Sequence, residues 1–277
     1  ENPKDIVRSR YDACAEQGGG EGAVCCAGDT PASPSFAAEH GLYSREELSL
    51  VPKIAFTLSR GCGNPAGFAD LQPGEVVVDF GCGAGIDVVL AAHKVGPAGK
   101  VVGVDMTPHM IERAKQSVAE AHVAETTEFL LADLERVELP DGFADVVISN
   151  CVINLCPDKE AVYREAFRVL KPGGRLAISD IVYGGEIDPQ VRERFQANWA
   201  GCVGGAIEED RYFQILQDVG FGQVEIVARH PLQQKELEEM ACCPGPEFTP
   251  APAKDDIASV EGKVVSIKFR AGKPRTH

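Results

Sequence analysis

A buried strand that opens into a glycine-rich turn constrains the fold of this chain more than any other feature. The apolar run Val76-Val77-Val78 leads directly into Asp79-Phe80-Gly81-Cys82-Gly83-Ala84-Gly85. Because glycine has no Cβ, the backbone of such a turn can approach a ligand closely. The N–H groups of the turn and of the following helix can hold a carboxylate. Ligands of open α/β sheets bind beyond the carboxyl ends of the strands, so the turn predicts a ligand site at the end of this strand.

Strands and helices alternate after this turn. Apolar runs and turn signals predict strands at 76–80, 101–105, 127–132, 144–150 and 174–182, with helices at 84–95, 108–122 and 159–170. Such alternation is typical of an α/β fold with a doubly wound, mostly parallel sheet.

The segments on either side follow a different pattern. Ser44-Arg45-Glu46-Glu47 is a capping box that predicts a helix as far as Ser59. We expect residues 1–43 to form a flexible N-terminal leader with one helix, from Asp5 to Cys14. After Tyr183, helices at 189–199 and 209–219 and strands at 223–229 and 263–269 predict a smaller C-terminal α+β part. The expected division of the chain is therefore 1–43, 44–185 and 186–277.

Composition excludes several classes of function. The 277 residues carry a formal net charge of -15, whereas nucleic acids and anionic lipids recruit surfaces rich in Lys and Arg. We therefore expect no nucleic-acid partner and no membrane association. No apolar stretch approaches the roughly 20 residues that span a bilayer. The ten cysteines contain no C-x-x-C pair, so we expect reduced thiols in a cytoplasmic enzyme.

The glycine turn resembles that of the class I S-adenosylmethionine-dependent methyltransferases. Its spacing is G-x-G-x-G, and acids follow at the ends of three predicted strands, Asp79, Asp105 and Asp133. The resemblance covers about residues 70–185 and implies an S-adenosylmethionine site. It implies that the three glycines hold the methionine part, Asp105 the ribose, and Met106, Asp133 and Leu134 the adenine. The expected cofactor residues are Asp79, Gly81, Gly83, Gly85, Asp105, Met106, Asp133, Leu134 and Asn150.

Three cysteines stand in small, turn-like segments around this unit. The segments are Gly61-Cys62-Gly63-Asn64-Pro65, Asn150-Cys151-Val152-Ile153-Asn154-Leu155 and Gly201-Cys202-Val203-Gly204-Gly205. These segments resemble those of the arsenite S-adenosylmethionine methyltransferases, and the resemblance runs from about Leu42 to the last strand. It implies that Cys62, Cys151 and Cys202 bind As(III) in the catalytic site. A further N-terminal cysteine of that family corresponds to Cys25 or Cys26, and the sequence leaves that choice open.

Thiol chemistry agrees with this resemblance. Thiolates are soft ligands for thiophilic centres, and three of them leave the lone pair of As(III) free to attack a methyl group. We therefore expect transfer of methyl groups from S-adenosylmethionine to trivalent arsenic or its thiol conjugates, with residues 44–185 binding the cofactor and 186–277 contributing to substrate binding. A thiol reductant such as glutathione or thioredoxin would reopen any disulfide formed. Two alternatives are a small-molecule methyltransferase with structural cysteines and a non-catalytic metalloid-binding protein.

Overall fold

The computed structural model describes residues 2–16, 42–59, 61–197, 202–222, 224–241 and 253–275. One mixed sheet of seven strands lies at the centre of this part of the chain. Its strands are β1 (Val76–Phe80), β2 (Lys100–Asp105), β3 (Thr127–Leu131), β4 (Ala144–Asn150), β5 (Leu170–Tyr183), β6 (Val224–Pro231) and β7 (Val264–Gly272). The strand order is β3-β2-β1-β4-β5-β7-β6, and the first five strands are parallel. The predicted α/β fold with a mostly parallel sheet is confirmed.

Helices cover both faces of the sheet. They are α1 (Pro3–Glu16), α2 (Arg45–Leu50), α3 (Lys53–Leu58), α4 (Pro65–Phe68), α5 (Ile86–Val95), α6 (Pro108–Glu120), α7 (Lys159–Val169), α8 (Pro189–Gln196), α9 (Glu209–Val219), α10 (Gln234–Ala241) and α11 (Lys254–Ser259). Successive side chains of a strand point to opposite faces, and Val77 and Val78 accordingly belong to different apolar clusters. Burial of both faces explains why β1 is an uninterrupted apolar run.

The strand order reverses direction between β1 and β4. From β1 the chain moves outward to β2 and β3, and it then returns to place β4 on the other side of β1. The carboxyl ends of β1 and β4 therefore open the crevice in which open α/β sheets bind their ligands. Both the glycine turn and Cys151 follow these two ends directly.

Pro52 divides the helix that the sequence predicted between Ser44 and Ser59. The capping box at Ser44 is present, but α2 ends at Leu50 and α3 begins at Lys53. Proline lacks an N–H group, and its ring disfavours helical backbone in the preceding residue. Val51 is accordingly extended, with φ -101° and ψ 128°. The prediction of one continuous helix was wrong for this reason.

The two C-terminal strands extend the same sheet. β7 pairs antiparallel with β5 along Arg175 to Tyr183, and β6 pairs antiparallel with β7. Helices α8 to α11 surround this edge together with a small apolar cluster. The division of the chain at residue 186 remains a prediction. In the described ranges, no helix combines the length and apolarity needed to cross a membrane.

Candidate active site

The glycine turn after β1 depends on left-handed backbone. Gly81, Gly83 and Gly85 have φ values of 77°, 50° and 90°, which side chains with a Cβ rarely adopt. The N–H of Gly81 donates to the carbonyl of Val104 in β2, with 2.8 Å between nitrogen and oxygen. A Cβ on Gly81 would lie 2.5 Å from the side chain of Val152, whereas one on Gly83 would meet nothing within 4 Å. The turn is therefore anchored to the sheet and open above Gly83.

Three carboxylates surround this turn, of which Asp79 and Asp87 are buried and Asp105 is half-buried. Asp79 lies in β1, Asp105 ends β2, and Asp87 lies in the first turn of α5. The carboxylate of Asp105 accepts hydrogen bonds from the N–H groups of Gly83 and Thr107, each 2.9 Å long. Burial raises the pKa of Asp79 well above its usual range, and the neighbouring Asp87 and Asp105 raise it further. Among the described residues, no lysine or arginine forms an ion pair with any of the three.

The open cleft above the turn encloses about 950 Å³, including its mouth. Helix α1 forms one wall of this cleft. Lys4 of α1 lies 2.5 Å from Asp133 and 2.6 Å from Glu135, measured from Nζ to the carboxylate oxygens. Most of the expected cofactor residues line the cleft, namely Gly81, Gly83, Asp105, Met106, Asp133, Leu134 and Asn150. Asp79 and Gly85 lie beside it without lining it.

The loop that carries Cys62 is held by the ends of β4 and β5. Asn150 donates from Nδ2 to the carbonyl of Gly63, 2.7 Å away, and accepts from its N–H at 3.2 Å. A Cβ on Gly61 would lie 2.3 Å from Asn150, and one on Gly63 would lie 2.1 Å from Oγ of Ser179. The two glycines beside Cys62 are thus required by close packing against these side chains.

Cys151 follows β4 with a strained backbone. Its φ is 60°, in the left-handed region, and its N–H donates to the carbonyl of Ser179 at 2.8 Å. The side-chain hydroxyl of the same serine lies 3.5 Å from Sγ of Cys62. Ser179, which lies beside Asn150 within β5, therefore contacts both cysteine segments.

Cys202 is held against Cys151 by a third loop. Its thiol donates to the carbonyl of Cys151 at 3.5 Å, and its own carbonyl accepts from Nδ2 of Asn154 at 3.3 Å. A Cβ on Gly205 would lie only 1.8 Å from the carbonyl oxygen of Asn154. Gly205, three residues after Cys202, therefore lets the backbone of this loop approach the backbone of Asn154 closely.

The three thiols form one group, in which Cys151 and Cys202 are buried and Cys62 is half-buried. Burial raises the pKa of the Cys151 thiol well above its usual range, and the adjacent thiols of Cys202 and Cys62 raise it further. Among the described residues, no group of three His, Cys, Asp or Glu side chains has the arrangement of a metal site. The Cys151 thiol is therefore protonated at neutral pH, and a thiophilic ligand must displace its proton to bind there.

The cysteines outside this group include both free thiols and a disulfide-bonded residue. Cys82 and Cys156 are free thiols that line the cleft, and burial raises the pKa of Cys156 to about 12. Cys14, near the end of α1, is disulfide-bonded, so the expectation of reduced thiols was wrong for this residue. Cys25 and Cys26 lie outside the described residues.

Comparison with known families decides the class of protein. Residues 71–220 match the sequence model of a family described as a methyltransferase domain. The chain belongs to this methyltransferase family. The match begins before β1 and ends at the residue after α9, so the glycine turn, the carboxylates, Cys151 and Cys202 all lie within the methyltransferase domain.

Individual relatives are more specific. The methyltransferase domain and its flanks are 42% identical over 240 residues to an arsenite methyltransferase of Halobacterium salinarum, covering 83% of this chain and 60% of that protein. They are 34% identical to the human arsenite methyltransferase, covering 59% of this chain and 46% of that protein. The chain thus spans about half to three fifths of the length of these relatives.

A solved structure is similar in fold as well as in sequence. It is CrArsM, an arsenic(III) S-adenosylmethionine methyltransferase from Chlamydomonas reinhardtii, with a TM-score of 0.63 and 28% identity. The alignment covers 89% of this chain and 75% of that one. The resemblance to arsenite methyltransferases that the cysteine segments indicated is thereby confirmed.

The residues of the methyltransferase cleft fit S-adenosylmethionine, which carries a positive sulfonium. Asp79 and Asp87 are buried, Asp105 is half-buried, and none of them has a cationic partner among the described side chains, so a positively charged ligand would compensate them. Open space above Gly83 leaves room for the ligand. Met106 and Leu134 supply apolar contacts beside it.

Some residues of the site escaped the sequence analysis. Asp87, Ser179, Asn154 and Lys4 were not assigned roles, although each contacts or adjoins an assigned residue. Ser179 and Asp87 had a usable signal, because one is a polar residue within an apolar strand and the other follows the glycine turn. Lys4 and Asn154 had none, since their contacts join segments that are distant in sequence.

Proposed function

We propose that this protein transfers methyl groups from S-adenosylmethionine to trivalent arsenic bound by the thiolates of Cys62, Cys151 and Cys202. The observation that carries the proposal is the meeting of three cysteine segments beside one methyltransferase cleft. Hydrogen bonds from Asn150, Asn154 and Ser179 support it, because they hold all three loops in place. Similarity to the arsenite methyltransferase of Halobacterium salinarum and to CrArsM supports the same substrate.

The cysteines act as ligands, and no general base is needed. Each thiol loses its proton as its sulfur bonds to arsenic. With arsenite, As(OH)3, the three protons leave with the three hydroxides as water, and with a thiol conjugate they leave with the displaced thiolates as three free thiols. When bound, S-adenosylmethionine supplies an electrophilic methyl group. Holding the arsenic lone pair close to that group and in line with it supplies most of the acceleration. Cys151 belongs to the thiol group and also lines the cleft. It is therefore the arsenic ligand nearest to the methyl group that is transferred.

Methyl transfer raises arsenic formally from As(III) to As(V), so a two-electron reduction must follow. Two thiols supply these electrons and become a disulfide, which glutathione or thioredoxin then reopens by thiol exchange. We assign one of these two thiols to Cys25 or Cys26 of the N-terminal segment, and the second is a thiol of the arsenic site or of the external reductant. The proposed division of labour places cofactor binding in residues 44–185 and part of the substrate site in 186–277.

Serine variants test the proposal against a matched control. Cys151→Ser and Cys202→Ser should abolish methylation of arsenite in the presence of a thiol and labelled S-adenosylmethionine, because a hydroxyl is a hard, weakly acidic ligand. Both variants should bind the cofactor nearly as well as the wild type. Cys156→Ser is the control, because Cys156 lines the cleft without belonging to the thiol group. It should retain most of the activity.

Two outcomes would contradict the proposal in different ways. Full arsenic methylation by Cys202→Ser would remove that cysteine from the ligand set. Arsenic binding without any methyl transfer by the wild type would favour a metalloid-binding protein.

A further inference from the structure

Asp87 is a buried acid that the proposed chemistry leaves unused. It is 3% exposed and borders the cleft. Its Oδ2 accepts hydrogen bonds from Nδ2 of Asn150 at 2.9 Å and from the hydroxyl of Tyr43 at 3.5 Å. Its Oδ1 is buried and, among the described residues, has no donor at hydrogen-bond distance, although the backbone N–H of Ala66 lies close enough to lower the pKa of the carboxyl. A buried carboxylate oxygen without a partner is costly and calls for an explanation.

Among the described residues, two carboxylates act on the charge of Asp87. Asp79 lies close enough to be coupled to it, and Glu47 of α2 also raises its pKa. The nearest lysine of this region, Lys94, instead pairs with Glu47 at 3.4 Å and donates to the carbonyl of Ala66. Burial, as the largest cause, raises the pKa of Asp87 to about 7. A positive charge arriving in the cleft would therefore stabilise the ionised form.

One amide connects Asp87 to the Cys62 loop. Nδ2 of Asn150 donates both to Asp87 and to the carbonyl of Gly63, and its Oδ1 accepts from the N–H of Gly63. The close packing of Gly61 against the same side chain means that a movement of Asn150 must move the loop. The state of Asp87 is thus transmitted to Cys62 through two hydrogen bonds.

We infer that Asp87 is the counter-charge for the sulfonium- and ammonium-bearing methionine end of S-adenosylmethionine, and that through Asn150 it couples occupancy of the cleft to the position of the Cys62 loop. Asp87 is a positioning residue for that loop. The inference rests on the proposed use of S-adenosylmethionine, but it does not depend on arsenic as the substrate.

Equilibrium binding tests the charge. Asp87→Asn keeps the shape of the side chain and removes its charge, and calorimetry compares S-adenosylmethionine with methylthioadenosine, which lacks the amino-acid part. The variant should bind S-adenosylmethionine about 10-fold or more weakly, and methylthioadenosine within about 3-fold of the wild type. Equal loss for both ligands, or no loss for either, would overturn the counter-charge role.

Tyr43→Phe is the matched variant for packing. It removes the hydroxyl that contacts Asp87 and Asn150 and leaves the charge of Asp87 in place. Its affinity for S-adenosylmethionine should remain close to that of the wild type. If it loses as much affinity as Asp87→Asn, the hydrogen-bonded packing and not the charge is responsible, and the inference fails. Circular dichroism and thermal unfolding check that both variants are folded.

Alkylation of Cys62 tests the coupling without arsenic. Iodoacetamide modification is followed by mass spectrometry with and without saturating S-adenosylmethionine. In the wild type the cofactor should change the rate at Cys62 several-fold, and in Asp87→Asn at equal occupancy this change should disappear. Protection of Cys156, which lines the cleft, reports occupancy. An unchanged effect at Cys62 in the variant would refute the coupling. A protein that passes these tests but methylates no arsenic would overturn the proposed function alone.

Discussion

Cys151 combines a left-handed backbone with a buried thiol. A residue with a Cβ at a φ of 60° costs of order 1 kcal/mol, and such strain persists only where surrounding contacts fix it. The hydrogen bond to Ser179 and the contact with Cys202 provide this fixation. At the scale of single residues, the thiol group is thus held by backbone geometry, and its neighbours should be sensitive to small changes.

Gly63→Ala should disturb this group without closing the cleft. The added Cβ would lie 2.1 Å from Oγ of Ser179, so the Cys62 loop must shift. We expect arsenic binding, measured by equilibrium dialysis, to weaken about 10-fold or more, with cofactor affinity within about 3-fold of the wild type. Gly272→Ala is the control, because a Cβ there meets nothing within 4 Å. Undiminished arsenic binding by Gly63→Ala would show that the Cys62 loop has no part in it.

Residue types and strand ends were predictable, whereas side-chain partners were not. The acids Asp79, Asp105 and Asp133 and the three cysteines stand at positions that strand periodicity and motif spacing mark out. Asn150 was assigned to the cofactor, and the structure shows that its amide also clamps Gly63. That contact joins residues 87 positions apart, and local sequence carries no information on it.

Helix α1 packs along one side of the cofactor cleft and contributes side chains to its lining. Val7 and Ala15 are buried, and Lys4, Val7 and Tyr11 line the cleft from this side. The Nε of Arg113 in α6 donates to the carbonyl of Ala15, 3.0 Å away, which fixes the far end of α1. Movement of this helix would therefore widen the cleft for a ligand of the size of S-adenosylmethionine.

Lys4→Met should speed release of the cofactor. It removes the ion pairs with Asp133 and Glu135, in which the side chains are 24%, 41% and 21% exposed. Partly exposed pairs contribute of order 1 kcal/mol or less, so the dissociation rate of S-adenosylhomocysteine in stopped-flow displacement should rise about 2- to 5-fold. Lys100→Met, which removes an ion pair with Glu128 on the outer strands, serves as control. Unchanged or slower release would mean that α1 does not close the cleft.

Elements were predictable where their periodicity is strong. β1, β4 and α9 have the predicted bounds, because apolar spacing and turn residues coincide at their ends. The break at Pro52 carried a local signal that the prediction overlooked. The position of β7 between β5 and β6 had no local signal, since strand order depends on packing between distant segments.

At the scale of the whole molecule, a buried polar chain crosses one of the two cores. The hydroxyl of Tyr163 donates to that of Tyr212 at 2.7 Å, and Tyr212 donates to Oδ2 of Asp180 at 2.9 Å. All three residues are fully buried. Burial raises the pKa of Asp180 to about 6, so this acid links global stability to pH.

Asp180→Asn should reveal that link. An unfolded aspartate titrates near pH 4, so between about pH 4 and 6 the folded state binds more protons and the free energy of unfolding falls as pH rises. The variant lacks this contribution. The free energy of unfolding in urea is measured for the variant and for the wild type. The value for the variant minus that for the wild type should therefore rise by about 1–3 kcal/mol from pH 4 to 7. Asp141→Asn, with a side chain 82% exposed, should run parallel to the wild type. A constant difference for Asp180→Asn would contradict the assigned pKa.

The antiparallel edge of the sheet has a consequence for synthesis of the chain. β6 is synthesised before β7, although β7 is the strand with which it pairs. The edge of β5 from Arg175 to Tyr183 also pairs with β7 and stays unpaired until β7 has been synthesised. While the ribosome adds residues 232–263, the nascent sheet therefore carries an unpaired edge at β5 and a detached strand. Unpaired edges of this kind invite association with other chains. The interval before β7 emerges is thus the period in which this protein most needs a chaperone.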